Sequence, residues 1–147
     1  MKIGVCAGPE QLPLLESLGF DYFEANFSWL AGLDEETYRE KTALVEASTL
    51  RAEAFNGFFP GGIKLYAPDG NQEPLLREVE AYCEKGFARA ASWGGQVAVI
   101  GSGYVRGIPE GMTWEAMRCI SGSAVLGAKL LSATSYIGRS LKLSPKT

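Results

Sequence analysis

The chain alternates two hydrophobic periods. Residues 2–6 form a short run of the strand type, and after Gly8-Pro9 the leucines Leu14, Leu15 and Leu18 share one helical stripe that Gly19 stops. Pro9 and Pro13 fit this unit only if the helix starts near Leu12. Pro13 then falls in the first turn, where its missing N–H breaks no bond. Residues 21–25 are the next strand candidate. Asp34-Glu35-Glu36 opens a helix with negative charge at the end that the helix dipole favours, and Tyr38, Thr42 and Val45 form its inner stripe. Residues 52–56 predict a third strand, leading into a Gly- and Pro-rich loop over 57–71. From about Pro74 to Trp93, the positions Leu75, Leu76, Val79, Tyr82, Cys83, Phe87 and Ala90 keep the 3.6-residue period. Gly86 interrupts it, at a cost of about 1 kcal/mol relative to alanine. Gly94-Gly95 ends that helix, and Val97-Ala98-Val99-Ile100 predicts a strand buried on both faces.

Strands alternating with helices predict right-handed crossovers and a parallel sheet, either an open doubly wound sheet or part of a closed (β/α) barrel. Val97 to Ile100 followed by Gly101-Ser102-Gly103 resembles the strand and glycine turn of a dinucleotide site. Against it, Arg106 stands where the third glycine belongs, Pro109 and Gly111 delay any helix, and no acidic residue after Glu115 could hold a ribose hydroxyl. The first strand's turn, Cys6-Ala7-Gly8-Pro9, carries no such pattern either. A tight turn at a strand end explains the glycines equally well.

Composition narrows the chemistry further. With 46% hydrophobic and 21% charged residues the chain is an ordinary globular one. It has no apolar run near the roughly 20 residues of a membrane span and no apolar core of a secretion signal, so a cytoplasmic location is expected. Cys6, Cys83 and Cys119 are an odd number at wide spacing, which suggests neither disulfides nor a zinc cluster and reads as three small apolar residues. The sequence contains no histidine. That removes the commonest general base and every Ser-His or Cys-His pairing, leaving carboxylates, lysine and backbone groups. Residues 1–117 hold 9 basic and 17 acidic side chains, whereas residues 118–147 hold five basic and none acidic. An acidic body argues against nucleic acid as a partner.

In a (β/α) barrel the chemistry gathers at the C-terminal ends of the strands. Those ends hold Cys6, Glu24-Ala25-Asn26, Asn56-Gly57 and Gly101-Ser102-Gly103. Glu24 shares a strand face with Tyr22, and a carboxylate in a barrel mouth needs donors or a cation to offset its desolvation. The alternative role for Glu24 is structural, bonded to neighbouring loop amides.

Four segments together resemble a known family: Lys2-Ile3-Gly4-Val5-Cys6, Leu18-Gly19-Phe20-Asp21-Tyr22-Phe23-Glu24, Phe55-Asn56-Gly57-Phe58-Phe59-Pro60, and Val97 to Gly103 after Gly94-Gly95. In order and spacing they resemble the sugar phosphate isomerases and epimerases with a xylose-isomerase-like TIM barrel, over residues 1 to about 113. The resemblance implies a divalent-metal enzyme, using Mn²⁺ or Mg²⁺, that moves a proton beside a sugar carbonyl through an enediolate between paired glutamates. In that family the metal ligands and glutamates come from later strands, so this chain itself is expected to hold no metal and to have little activity of its own. The histidines of the related endonucleases are replaced by Asn56 and Gly101-Ser102, which disfavours DNA repair.

By the same resemblance the substrate is a small sugar or sugar phosphate, and Glu24, Asn56, Phe58 and Ser102 would line its pocket, with Phe58-Phe59-Pro60-Gly61-Gly62 covering the mouth. Lys64 could neutralise a phosphate. Loop packing for Phe58 and Phe59, and a solvated charge for Lys64, are the plain alternatives. Tyr104 and Arg106 are equally well placed.

A complete barrel takes about 250 residues, and the pattern here supplies about four βα units. Residues 1–117 are therefore expected to form the N-terminal half of such a barrel. Residues 118–147, with six serines and no acids, are expected to be an atypical tail, from a truncated or frame-shifted reading frame. A helix from Thr113 to about Leu131 remains open. Half a barrel exposes strand edges, so self-association, or a purely non-catalytic assembly role, is also expected.

Overall fold

The computed structural model describes residues 1–61, 63 and 71–100. Expectations for Lys64, Ser102, Tyr104, Arg106, the glycine turn at 101–103, Cys119, the helix from Thr113 and the tail 118–147 lie outside the described residues. In chain order the elements are β1 (Gly4–Cys6), a single tight turn at Pro9–Gln11 that runs into α1 (Leu12–Ser17), β2 (Tyr22–Asn26), α2 (Phe27–Gly32), α3 (Glu35–Ala47), β3 (Ala52–Asn56), α4 (Gln72–Ser92) and β4 (Val97–Ala98).

Local sequence explains most of these boundaries. α1 begins at Leu12 with Pro13 in its first turn, as the two prolines require. Asp34 caps α3, its Oδ1 accepting from the Thr37 N–H at 2.8 Å. The helix α2 is absent from the reading of hydrophobic periods. Asn26 caps it, accepting from the Trp29 N–H at 2.8 Å, and Phe27, Leu30 and Ala31 are its buried face.

The four strands are all parallel and lie in the order β1-β2-β3-β4. A doubly wound sheet reverses its strand order at a switch point; sequential order with helices on a single side is the arrangement of a barrel wall. The buried sheet residues Phe23, Ala25, Ala52 and Phe55 all belong to the cluster that includes Leu12 and Leu15 of α1, Leu30 of α2, Val45 of α3 and Phe87 of α4. Side chains alternate across a strand, so Glu24 and Asn56 lie on the opposite, concave face. The described residues thus form a partial (β/α) TIM barrel.

The helical layer is held by aromatic packing. Phe27 stacks on Phe58 with centroids 4.3 Å apart and meets Phe87 edge-on at 5.1 Å. A Cβ at Gly86 would lie 2.5 Å from the Phe27 ring, so the glycine that weakens α4 as an isolated helix is what lets α2 approach it. Tyr82 donates its hydroxyl to the Phe58 carbonyl, and burial pushes its phenol above the ordinary value. Burial likewise pushes the Cys83 thiol up to about 11, as expected of a small apolar core residue. Arg89 is buried yet fully engaged. It donates to the Leu30 and Leu33 carbonyls at 3.0 and 2.7 Å, pairs with Glu35, and lies 4.3 Å from the Tyr38 ring centroid. A cation at the C-terminal end of α2 satisfies carbonyls that the short helix leaves open.

β4 departs from expectation. Its ladder pairing covers only Val97 and Ala98, and Val97 and Val99 are 56% and 51% exposed rather than buried on both faces. Among the described residues β4 pairs with β3 alone and is an outer strand, so nothing described covers its inner-facing valines.

Candidate functional site

The C-terminal strand ends converge on a cavity of about 450 Å³ lined by Cys6, Ala7, Gly8, Glu10, Glu24, Asn26, Trp29 and Asn56. Its position follows from the register. Cys6 stands opposite Glu24, and Asn26 opposite Asn56, so the polar residues of three strands occupy two successive levels of the concave face. Asn56 on β3 reaches over β2 to bring its Nδ2 within 3.4 Å of the Cys6 Sγ on β1. Side chains of non-adjacent strands can meet in this way only on the inside of a curved sheet.

The structure therefore brings Glu24 and Asn56 together. The Glu24 carboxylate is half-buried and makes neither hydrogen bond nor ion pair with any described residue. Its expected alternative, a bond to loop amides, has no counterpart among the described residues. Glu10 differs, because the Lys41 ammonium 2.6 Å away holds its carboxyl below the ordinary range. One carboxylate of the cavity is thus neutralised by a neighbour and the other is available.

Phe58 sits elsewhere. It is 0% exposed, packed beneath α2 and against Phe59, and Phe59 is buried as well. Gly57, with φ +57°, turns the chain off the end of β3 and delivers Phe58 to the helical layer rather than to the mouth. A Cβ at Gly57 would lie 2.3 Å from the Asn26 Nδ2, so this turn and the cap of α2 are packed against each other. The Ser28 N–H also donates to the Gly57 carbonyl at 3.2 Å.

Of the six lining residues that the sequence did not assign to the pocket, Cys6, Glu10 and Trp29 carry a thiol, a carboxylate and an indole. Cys6, expected as a small apolar residue, is exposed in the cavity. Glu10 belongs to the turn before α1. Trp29 enters through α2, and the signal for it was present: Asn26 is a good capping residue, with apolar positions at 27, 30 and 31 behind it.

No three metal-ligating side chains converge among the described residues. The Mn²⁺ or Mg²⁺ that the resemblance implies does not fit the donors that the described residues bring to the cavity, two carboxylates of which one is already paired, and no chemical step is derived through it. No helix among the described residues is long and apolar enough to cross a membrane.

No family model matches the chain, and no curated protein matches it at a significant level. Among solved structures, the crystal structure of 3-keto-D-glucoside 4-epimerase, YcjR, from E. coli in its apo form matches with a TM-score of 0.59 and 19% sequence identity. The match covers 94% of this chain and 53% of that one, so the chain spans about half the length of the epimerase, and what the two share is the barrel fold.

Proposed function

We propose that this chain supplies one wall of a sugar-binding site in an isomerase or epimerase that moves a proton beside a sugar carbonyl. The observation that carries the proposal is the available Glu24 carboxylate beside Asn56 and Cys6, in a cavity at the strand ends where barrel enzymes work. Glu24 would accept hydrogen bonds from sugar hydroxyls and Asn56 would donate one. The likeness to a 3-keto-D-glucoside epimerase and the family resemblance of the strand ends both favour a carbohydrate. The groups that abstract and return the proton would stand on other strands of the barrel, and Glu24 and Asn56 would orient the sugar toward them.

The test is binding followed by exchange. Neutral and phosphorylated aldoses, ketoses and glycosides are titrated into the full chain, and the proton beside the carbonyl is followed by NMR in D₂O with and without Mn²⁺ or Mg²⁺. Glu24→Gln should weaken sugar binding about tenfold, the effect of a lost charge-assisted hydrogen bond. Failure of every sugar to bind would overturn the proposal.

A second role is favoured by the exposed Val97 and Val99 on the outer strand and by exposed Ile3 beside β1. Because the four strands are parallel and sequential, β4 of one copy could pair with β1 of another without reversing either. Self-association by this route predicts a dimer or larger species in light scattering; a monodisperse, cooperatively melting monomer would contradict it.

A further inference from the structure

The two described tryptophans are treated in opposite ways. Trp93 is 0% exposed, and its indole N–H donates to the Thr42 hydroxyl at 2.9 Å. Trp29 is 39% exposed, lines the cavity, and makes no indole N–H hydrogen bond to any described residue. Yet Trp29 is firmly placed. Its backbone N–H is the one bound by the Asn26 cap, and its ring rests against Trp93 with centroids 6.2 Å apart and planes at 60°. Trp93 in turn is fixed by burial and by its bond to α3.

A large aromatic surface left open to a cavity, and held from behind, loses little freedom when a ligand covers it. Its negative face suits C–H groups that carry partial positive charge, such as those of a sugar ring, and its N–H, without an acceptor among the described residues, suits a hydroxyl. The charges around it select further. The described lining contains two carboxylates and no lysine or arginine, and Lys41 at its edge is already engaged by Glu10. A phosphate dianion would meet uncompensated negative charge there, whereas the hydroxyls of a neutral ring would find acceptors.

We propose that Trp29 is the stacking platform of this site and that the site takes a neutral, non-phosphorylated sugar ring. The proposal rests on the carbohydrate reading above and specifies it.

The experiment uses the full chain with D-glucose, D-fructose, D-xylose and methyl β-D-glucoside, and with glucose 6-phosphate and fructose 6-phosphate. Saturation-transfer NMR and tryptophan fluorescence report binding. Neutral sugars should receive saturation mainly on the C–H protons of one ring face, and should bind more tightly than the phosphates. Trp29→Ala should weaken them about tenfold, and Trp29→Phe, which keeps an aromatic face, should restore most of the affinity. Circular dichroism of both variants reports whether the fold is kept, and Trp29→Phe preserves the contact with Trp93 should the alanine variant unfold. Tighter binding of the phosphates, or neutral-sugar affinity indifferent to both substitutions, would overturn this proposal and leave the carbohydrate reading standing. Absence of any sugar binding by the unsubstituted chain would remove both.

Discussion

The two faces of the sheet are built on opposite principles. Behind the sheet, Phe27, Phe58 and Phe87 interlock with almost no access to water, the half-buried Tyr82 packs against them, and the buried polar groups there, Arg89 among them, have partners. In front of it, Glu24 is unpaired among the described residues, Trp29 shows its ring, and Val97 and Val99 are open. The packed face fixes the curvature and spends its polar groups on structure. The concave face leaves polar and aromatic groups uncommitted, which is what a binding surface requires. Substitutions should therefore divide cleanly: those behind the sheet should cost stability, and those in front should cost binding.

The largest effect is expected at Phe27, which touches Phe55, Phe58, Tyr82 and Phe87. Phe27→Ala should destabilise by about 3–5 kcal/mol, a large part of what a domain of this size has in total. Urea unfolding followed by circular dichroism measures it. Glu24→Gln on the other face should shift the same curve by less than about 0.5 kcal/mol while weakening sugar binding. Equal destabilisation by the two would erase the contrast between the faces.

A subtler break lies at Gly86. In an exposed helix Gly→Ala stabilises by about 1 kcal/mol, but here the new methyl would meet the Phe27 ring at 2.5 Å. Gly86→Ala should therefore destabilise by about 1–3 kcal/mol. Combining it with Phe27→Leu removes the ring that causes the clash, and the alanine should then become neutral or favourable. Additive losses in that double-mutant cycle would show that the close approach of α2 to α4 is not what the glycine serves.

The same site shows what the sequence could and could not disclose. The strand at 52–56, the late start of α1, the acidic opening of α3 at Asp34-Glu35-Glu36 and the stripe Tyr38, Thr42 and Val45 were legible because each rests on a local rule or a period. Tyr38 and Thr42 then proved to face Arg89 and Trp93, respectively. Glu24 and Asn56 were legible as a pair because barrel strands bring their C-terminal ends together. For Phe58 the sequence offered both a pocket role and loop packing; the choice between them depends on a left-handed Gly57 that steers the next residue over the helices, and one glycine in a Gly-rich loop gives no direction. Nor was Gly86 readable as anything but a helix weakness, because its reason is a ring 59 residues earlier in the chain. Exposure of the β4 valines was equally hidden: a continuous apolar run predicts burial, but not which neighbour provides it.

The smallest expected effect concerns pH, and it again belongs to the packed side. The Glu16 carboxylate joins α1 to the connection before β3, accepting from the Ser48 hydroxyl at 2.7 Å, the Thr49 N–H at 2.6 Å and the Thr49 hydroxyl at 2.8 Å. These donors, the Ser48 hydroxyl first, hold its carboxyl below the ordinary value of 4.5. A carboxylate whose folded pKa is depressed binds fewer protons in the folded state than in the unfolded one. Its contribution is therefore complete above pH 4.5 and is lost as pH falls from there through the lowered folded value. Glu16→Gln removes the titration but keeps an acceptor. The variant should melt a little below the unsubstituted chain at pH 7, and the gap should close as the buffer is taken below pH 4.5. Asp34 and Glu10 are shifted in the same direction and contribute to both chains alike, so the difference between the two curves isolates Glu16. The gap should be small, because Glu16 is open to solvent and its bonds compete with water. A gap that stays constant down to the acid transition would mean that Ser48 and Thr49 do not distinguish the ionised carboxylate from a neutral amide.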